Sequence, residues 1–191
     1  MKGVAGMKYF VGFMASVIII IIMLLVSLGN SGKKPATKSQ PKTLVSYANT
    51  DASVRMIIDG PVTADQTHYQ IRVNVSRDKT IYEQINGYEG NVIKSEAFEN
   101  NQNSFSNFLS ALEKAGYMRG DKQAENSNYL GYCPLGNRYI FSLSKGSEKL
   151  QQYWATSCGS PSTYLGSLNL TLKLFKAQVP DYYNLSDNLN L

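Results

Sequence analysis

The stretch "HYQIRVNVSRDKTIYEQI", residues 68–85, carries the clearest structural signal in the chain. Its first half alternates strictly between apolar and polar side chains, and the apolar positions are Tyr69, Ile71, Val73 and Val75. A period of two residues is that of a β-strand with one buried face. Arg77-Asp78 predicts a tight turn, after which residues 79–85 return as an antiparallel partner. The stretch therefore predicts a β-hairpin.

Further strand signals lie on both sides of this hairpin. Residues 54–60 are rich in β-branched side chains and end at Gly60-Pro61. Residues 137–144 and 150–156 form a second hairpin around the turn at residues 145–148. Residues 92–97 allow a short additional strand. The pattern predicts an antiparallel sheet of about five strands.

Two helices are expected between and after these strands. In "NSFSNFLSALEKAGY", residues 103–117, the apolar positions recur with helical spacing at Phe105, Phe108, Leu109 and Leu112. Asn103 or Ser104 is expected to cap its start, and Gly116 to take the left-handed position after its end.

The second helix is predicted from an ambiguous segment. The leucines at positions 168, 170, 172 and 174 alternate as in a strand, but a longer helical stripe includes Leu165, Phe175 and Val179. The longer stripe favours a helix that Pro180 ends. The fold class is thus α+β, an antiparallel sheet with two helices packed on one face.

One N-terminal transmembrane helix is predicted to precede this domain. Residues 9–29 contain no charge, and about 20 apolar residues are needed to cross a bilayer. Residues 1–8 form a short N-terminal segment, 30–43 a flexible Lys/Pro/Ser tether, 44–180 the extracytoplasmic domain and 181–191 a frayed tail. The bilayer is therefore one predicted partner, through residues 9–29.

Two alternatives for the N-terminus remain. A signal peptide cleaved after Gly29 would leave no anchor, although the apolar run is longer than such peptides usually have. Gly6-Met7 resembles a prepilin cleavage junction, which implies a pilin-like subunit. That family expects Glu where this chain has Val11, and a helix that is unbroken where this chain has Pro35 and Pro41.

The net charge of +5 belongs to the N-terminal part of the chain. Six lysines and no acidic residue precede Asp51, so the rest of the chain has 13 basic and 14 acidic residues. A nearly neutral domain lacks the basic surface that binds phosphate backbones, and no nucleic acid is expected as a partner.

No catalytic motif or metal-binding motif occurs in the sequence, and no cofactor is expected. The single histidine, His68, is predicted to be a surface residue at the start of a strand. Carboxylates are scattered, including Asp59, Glu83 and Glu96, and any two that meet could act as a glycosidase pair. A surface hydrolase therefore stays open as an alternative function.

The two cysteines, Cys133 and Cys158, flank the second predicted hairpin. Because a hairpin brings its outer ends together, they are predicted to form a disulfide. Persistent disulfides belong to oxidising compartments. The lysine count around residues 9–29 slightly favours a cytoplasmic domain, but the cysteine pair outweighs it. The predicted arrangement is a single-pass membrane protein with a cytoplasmic N-terminus and an extracytoplasmic domain.

Tyrosine and tryptophan residues cluster around the cysteines. Tyr129, Tyr132 and Trp154 are candidates for a binding surface, since exposed aromatic side chains often anchor a protein or glycan partner. Packing beneath the disulfide is the alternative explanation. The expected function is a binding or assembly module at the cell envelope, with another envelope protein or a surface glycan as partner.

Overall fold

The computed structural model describes residues 13–14, 17–21, 23, 43–124, 127–159, 161–189 and 191. The chain divides into two units, Met1–Pro41 and Lys42–Leu191. In the first unit, the described residues are helical. Within the described part of the chain, no helix is both long enough and apolar enough to cross a membrane. Most of the predicted span at 9–29 lies outside the described residues, as do residues 1–8 and most of the tether at 30–43.

The second unit contains a six-stranded antiparallel sheet with helices, which confirms the predicted α+β class. Its strands are β1 (Ala52–Asp59), β2 (Tyr69–Ser76), β3 (Lys79–Asn86), β4 (Asn91–Glu99), β5 (Arg138–Lys145) and β6 (Glu148–Thr156). The order across the sheet is β4-β3-β2-β1-β5-β6. The sequence predicted about five strands; β4, at the position where only a short additional strand was allowed, is the sixth.

Three α-helices and two short 3₁₀ helices accompany the sheet. The α-helices are α1 (Gln102–Lys114), α2 (Leu168–Lys176) and α3 (Tyr182–Ser186), and the 3₁₀ helices are Leu44–Tyr47 and Asp65–Thr67. Asn101 caps α1, because its side chain accepts a hydrogen bond of 3.0 Å from Ser104 N. The prediction of Asn103 or Ser104 as the cap was wrong. Gly116 has a φ of +82°, as the predicted left-handed position requires.

The core lies between the helices and one face of the sheet, here called the inner face. Met56 on the central strand β1 faces Phe141 on β5, which in turn faces Tyr153 on β6. Phe175 of α2 contacts both Phe108 of α1 and Phe141, with ring centroids 5.3 and 6.4 Å apart. Both long helices therefore cover the same face of the sheet.

The C-terminal tail differs from the predicted frayed segment. Residues 182–186 form α3, and Tyr182 is buried against Tyr82. The carbonyl of Leu185 accepts hydrogen bonds from Tyr82 and Gln84. These contacts join the tail to β3 and place it over the end of the inner face.

Candidate binding surface

The opposite face of the sheet, here called the outer face, carries charged side chains in its middle. Arg72 Nη1 on β2 lies 3.0 Å from Glu83 Oε2 on β3, directly across the strand pair. Arg55 on β1 lies near this pair, and burial, followed by repulsion from Arg72, lowers the pKa of its guanidinium. Glu83 is therefore held in an ion pair on the outer face.

Three charged or polar groups meet in a buried cluster where β1 ends and β5 begins, on the same outer face. Arg138 Nε lies 2.7 Å from Asp59 Oδ2, and His68 Nε2 lies 2.9 Å from Asp59 Oδ1. Arg138 also donates to the carbonyl of Gly60. Asp59 Oδ1 accepts no well-aligned hydrogen bond from the described residues. The cluster fixes the Asp59-Gly60-Pro61 turn against the start of β5.

His68 was predicted to lie at the surface, and that prediction was wrong. It is completely buried, at 0% exposure. Its ring stacks on Tyr88 at 4.1 Å between centroids, and Nδ1 donates to the Pro61 carbonyl at 3.0 Å. The turn after β1 folds back over the position before β2, and Tyr88 covers the ring from the β3–β4 connection. The alternation of apolar and polar residues cannot predict this burial, because loops cover His68 and it does not lie on the buried face of a strand.

The predicted disulfide is present between Cys133 and Cys158, whose Cα atoms lie 5.8 Å apart. It closes the base of residues 129–136, here called the Cys133 loop, against the segment that follows β6. Ser157 adds a hydrogen bond, because its Oγ accepts from Asn137 N at 2.9 Å. A Cβ at Gly136 would collide with Ser157 and lie 2.7 Å from Cys133 Sγ. The loop base is thus tightly packed.

The Cys133 loop is also tied to the turn after β1. Val62 N donates to the Pro134 carbonyl at 2.7 Å, and Leu130 N donates to Asn128 Oδ1 at 2.9 Å. Tyr132 N donates to the Tyr129 carbonyl at 3.3 Å. The loop therefore has a defined backbone conformation although it lies at the surface.

The three aromatic residues proposed from the sequence occupy different environments. Trp154 is only 3% exposed, and its Nε1 donates to Ser127 Oγ at 2.9 Å. Tyr132 stacks over it at 5.1 Å between centroids and remains exposed. Tyr129 is half-buried, and burial, with the nearby negative charge of Asp59, raises the pKa of its phenol. Trp154 thus supports the loop from beneath, and Tyr132 lies at the surface.

The most exposed apolar side chains of the loop were not predicted from the sequence. Leu135 is 89% exposed and Leu130 is 62% exposed. Val62, on the segment bonded to Pro134, is exposed as well. These residues together with Tyr132 are here called the Leu135 surface. The available sequence signal was the placement of two leucines inside a loop that carries a cysteine, since apolar side chains outside periodic segments have no strand or helix face to bury them.

Two features of the described residues bear on metal and carboxylate chemistry. In the part of the chain that the structure describes, no three His, Cys, Asp or Glu side chains are grouped to hold a metal ion. Asp59 and Glu83 are each paired with an arginine.

No protein-family model, curated protein or solved structure matches this chain.

Proposed function

We propose that the domain is a binding module that recognises another protein of the cell envelope through the Leu135 surface. The observation that carries this proposal is the exposure of Leu130, Tyr132 and Leu135 on a loop whose backbone is held by a disulfide and by hydrogen bonds. Contiguous exposed apolar side chains mark interaction surfaces, and these three residues belong to one short loop. A loop that is already ordered loses little conformational entropy when it binds.

The proposed location follows from the disulfide and from residues 9–29. A disulfide persists where the surroundings are oxidising, which supports an extracytoplasmic position for the domain. The uncharged run at 9–29 supports an anchor in the bilayer. With a single span, a domain outside the cytoplasm would leave the N-terminus in the cytoplasm.

Retention of the anchor has a direct test. We expect the full chain to stay in the membrane fraction after alkaline carbonate washing, because a spanning helix is not released by removing electrostatic contacts. A mature protein whose first residue is Asn30 would show instead that residues 9–29 are a cleaved signal.

The two other functions suggested by the sequence have less support. A hydrolase needs two carboxylates facing a substrate, and two of the three carboxylates named from the sequence, Asp59 and Glu83, are paired with arginines. The pilin-like alternative depends on residues 6–41, most of which lie outside the described part of the chain. A surface glycan remains the second candidate partner, favoured by the exposed ring of Tyr132.

The proposed surface can be tested by replacing its two leucines together, Leu130→Ser and Leu135→Ser. Membranes from cells that make the protein are cross-linked, and the proteins captured with the full chain are compared. Capture of the main envelope partner should fall about tenfold or more, since an interface anchor typically contributes more than about 1 kcal/mol.

A matched control replaces two leucines that are exposed elsewhere, Leu165 and Leu170, with serine. This control variant should capture the partner as the unmodified chain does. Equal losses in both double variants, or no loss in the loop variant, would show that the Leu135 surface is not the binding site. Capture of polysaccharide in place of protein would favour the glycan.

A further inference from the structure

The two edges of the sheet are treated differently by the rest of the chain. The edge strand β6 is covered at Trp154, because Thr163 N and Tyr164 N both donate to the Trp154 carbonyl at 2.9 Å. The other edge strand, β4, pairs with β3 on one side, and no described residue pairs with its backbone on the other side. Unpaired N–H and C=O groups along an edge are a template for a further strand.

Strand β4 is unusually exposed for one with apolar side chains. All nine of its residues are exposed or half-buried, and Ile93 and Val92 are 55% and 48% exposed. A β-bulge opposite Gln84 and Ile85 affects only its beginning, and residues 94–99 pair regularly with 79–84. The strand contains no proline, so none of the N–H groups that point away from β3 is missing as a donor.

The charges of β4 favour pairing with a second copy in one register. Lys94 and Glu96 lie on the same face, opposite Gln84 and Tyr82, and neither forms an ion pair with a described residue. If two copies of β4 pair antiparallel about a two-fold axis through Ser95, Lys94 of each copy faces Glu96 of the other. An axis through Lys94 or through Glu96 would instead place like charges opposite each other, which is destabilising.

We propose that β4 pairs with β4 of a second copy of this chain, antiparallel and with the two-fold axis at Ser95. The pairing joins two six-stranded sheets into one and satisfies the free edge of each. Because the interface is symmetric, each copy contributes the same surface and the assembly closes as a dimer. The pairing uses the opposite edge of the sheet from β6 and does not depend on the Leu135 surface.

The contact area of a single strand pair is small, so the dimer is expected to be weak in dilute solution. It is therefore tested with the full chain in its membrane, by cysteine cross-linking. The two native cysteines are joined to each other, so Ser95→Cys adds one free thiol. Facing residues in antiparallel strands have Cα atoms about 4.5–5.5 Å apart, which a disulfide spans.

Ala97→Cys is the matched control, because Ala97 is exposed on the same face of β4 as Ser95. In the proposed register the two copies of position 97 are offset by four residues and lie about 14 Å apart, too far for a disulfide. Under mild oxidation, Ser95→Cys should form covalent dimer at least about tenfold faster than Ala97→Cys. Equal rates, a faster control, or cross-linking only to a different protein would overturn the proposal.

Exchanging the charges at positions 94 and 96 distinguishes cross-linking in the proposed register from cross-linking by random collision. In the Ser95→Cys chain, Lys94→Glu and Glu96→Lys should each slow dimer formation severalfold, because each places like charges opposite each other. The two changes together restore opposite charges and should restore the rate. Far-ultraviolet circular dichroism checks that every variant is folded. Unchanged rates in the single variants, or no recovery in the double variant, would contradict the register.

Discussion

Arg138 is the residue that joins the sheet to the candidate site. Its side chain is buried at the start of β5, directly after the Cys133 loop, where it binds Asp59 and the Gly60 carbonyl. A buried ion pair contributes little net stability, because both partners lose their hydration. Its effect here is geometric: it holds the turn after β1, from which Val62 bonds to the loop.

Removing Arg138 should therefore be costly although the intact pair contributes little. In Arg138→Met the Asp59 carboxylate stays buried without its main partner, and we expect the free energy of unfolding to fall by about 3–5 kcal/mol. Urea unfolding followed by circular dichroism measures the loss. Arg77→Met, which removes an exposed pair with Asp78, should have no measurable effect. If both variants unfold at the same urea concentration, Arg138 does not have the role described.

At the scale of the elements, hydrogen bonds determine where α1 begins and ends. The sequence pattern predicts the helix but only partly predicts these bonds. The apolar spacing of Phe105, Phe108 and Leu112 correctly predicted the helix. Asn101, Asn103 and Ser104 are all polar residues near the start of the helix. The backbone of Asn101 is extended, with φ −144° and ψ 165°, and this geometry lets its side chain reach Ser104 N. Spacing indicates that a helix exists more reliably than where it begins.

Two asparagines at the start of α1, Asn101 before it and Asn103 within it, allow a matched test of this cap. Asn101→Ala should lower the free energy of unfolding by about 1 kcal/mol, because Ser104 N loses its acceptor. Asn103→Ala changes the same residue type within the first turn of α1, where no cap bond is lost, and should be nearly neutral. If thermal melts showed a larger loss of stability for Asn103→Ala than for Asn101→Ala, Asn103 would be the cap, as predicted from the sequence.

Strands with alternating apolar residues and helices with helical apolar spacing could be predicted from the sequence. Environments that are formed by loops could not. The hairpin of β2 and β3 was predicted because its apolar face has a strict period. His68 and Trp154 are buried by segments distant in sequence, so no local pattern indicates their environment. The tail was predicted to be frayed, but Tyr182 of α3 lines a cavity with Ile58 and Ile71 at the end of the sheet.

For the molecule as a whole, the buried tyrosines predict instability in alkali. Burial raises the pKa of Tyr82, Tyr117, Tyr129, Tyr164 and Tyr182 above the ordinary value of a phenol. Above the ordinary pKa of about 10, the unfolded chain releases protons that the folded chain retains, so stability falls as the pH rises. The melting temperature should be level up to about pH 9 and fall steeply above about pH 10. Complete tyrosinate absorbance near pH 10 with the fold intact would contradict these shifts.

The disulfide connects the fold of the molecule, its proposed location and its proposed binding surface. It joins residues 25 apart in sequence, on either side of the β5–β6 hairpin. In the chain-entropy model, closing a loop of about that length stabilises by roughly 3–3.5 kcal/mol. Replacing both cysteines with alanine should lower the melting temperature and leave the sheet formed, because the apolar core does not include them.

Thiol labelling in the native membrane tests this connection most directly. The full chain is denatured with and without reductant, and each sample is treated with a thiol reagent. We predict that Cys133 and Cys158 react only after reduction, because they are joined in an oxidising compartment. Full labelling of both cysteines without reductant would contradict the disulfide. It would also remove the main support for an extracytoplasmic domain and for an ordered Cys133 loop.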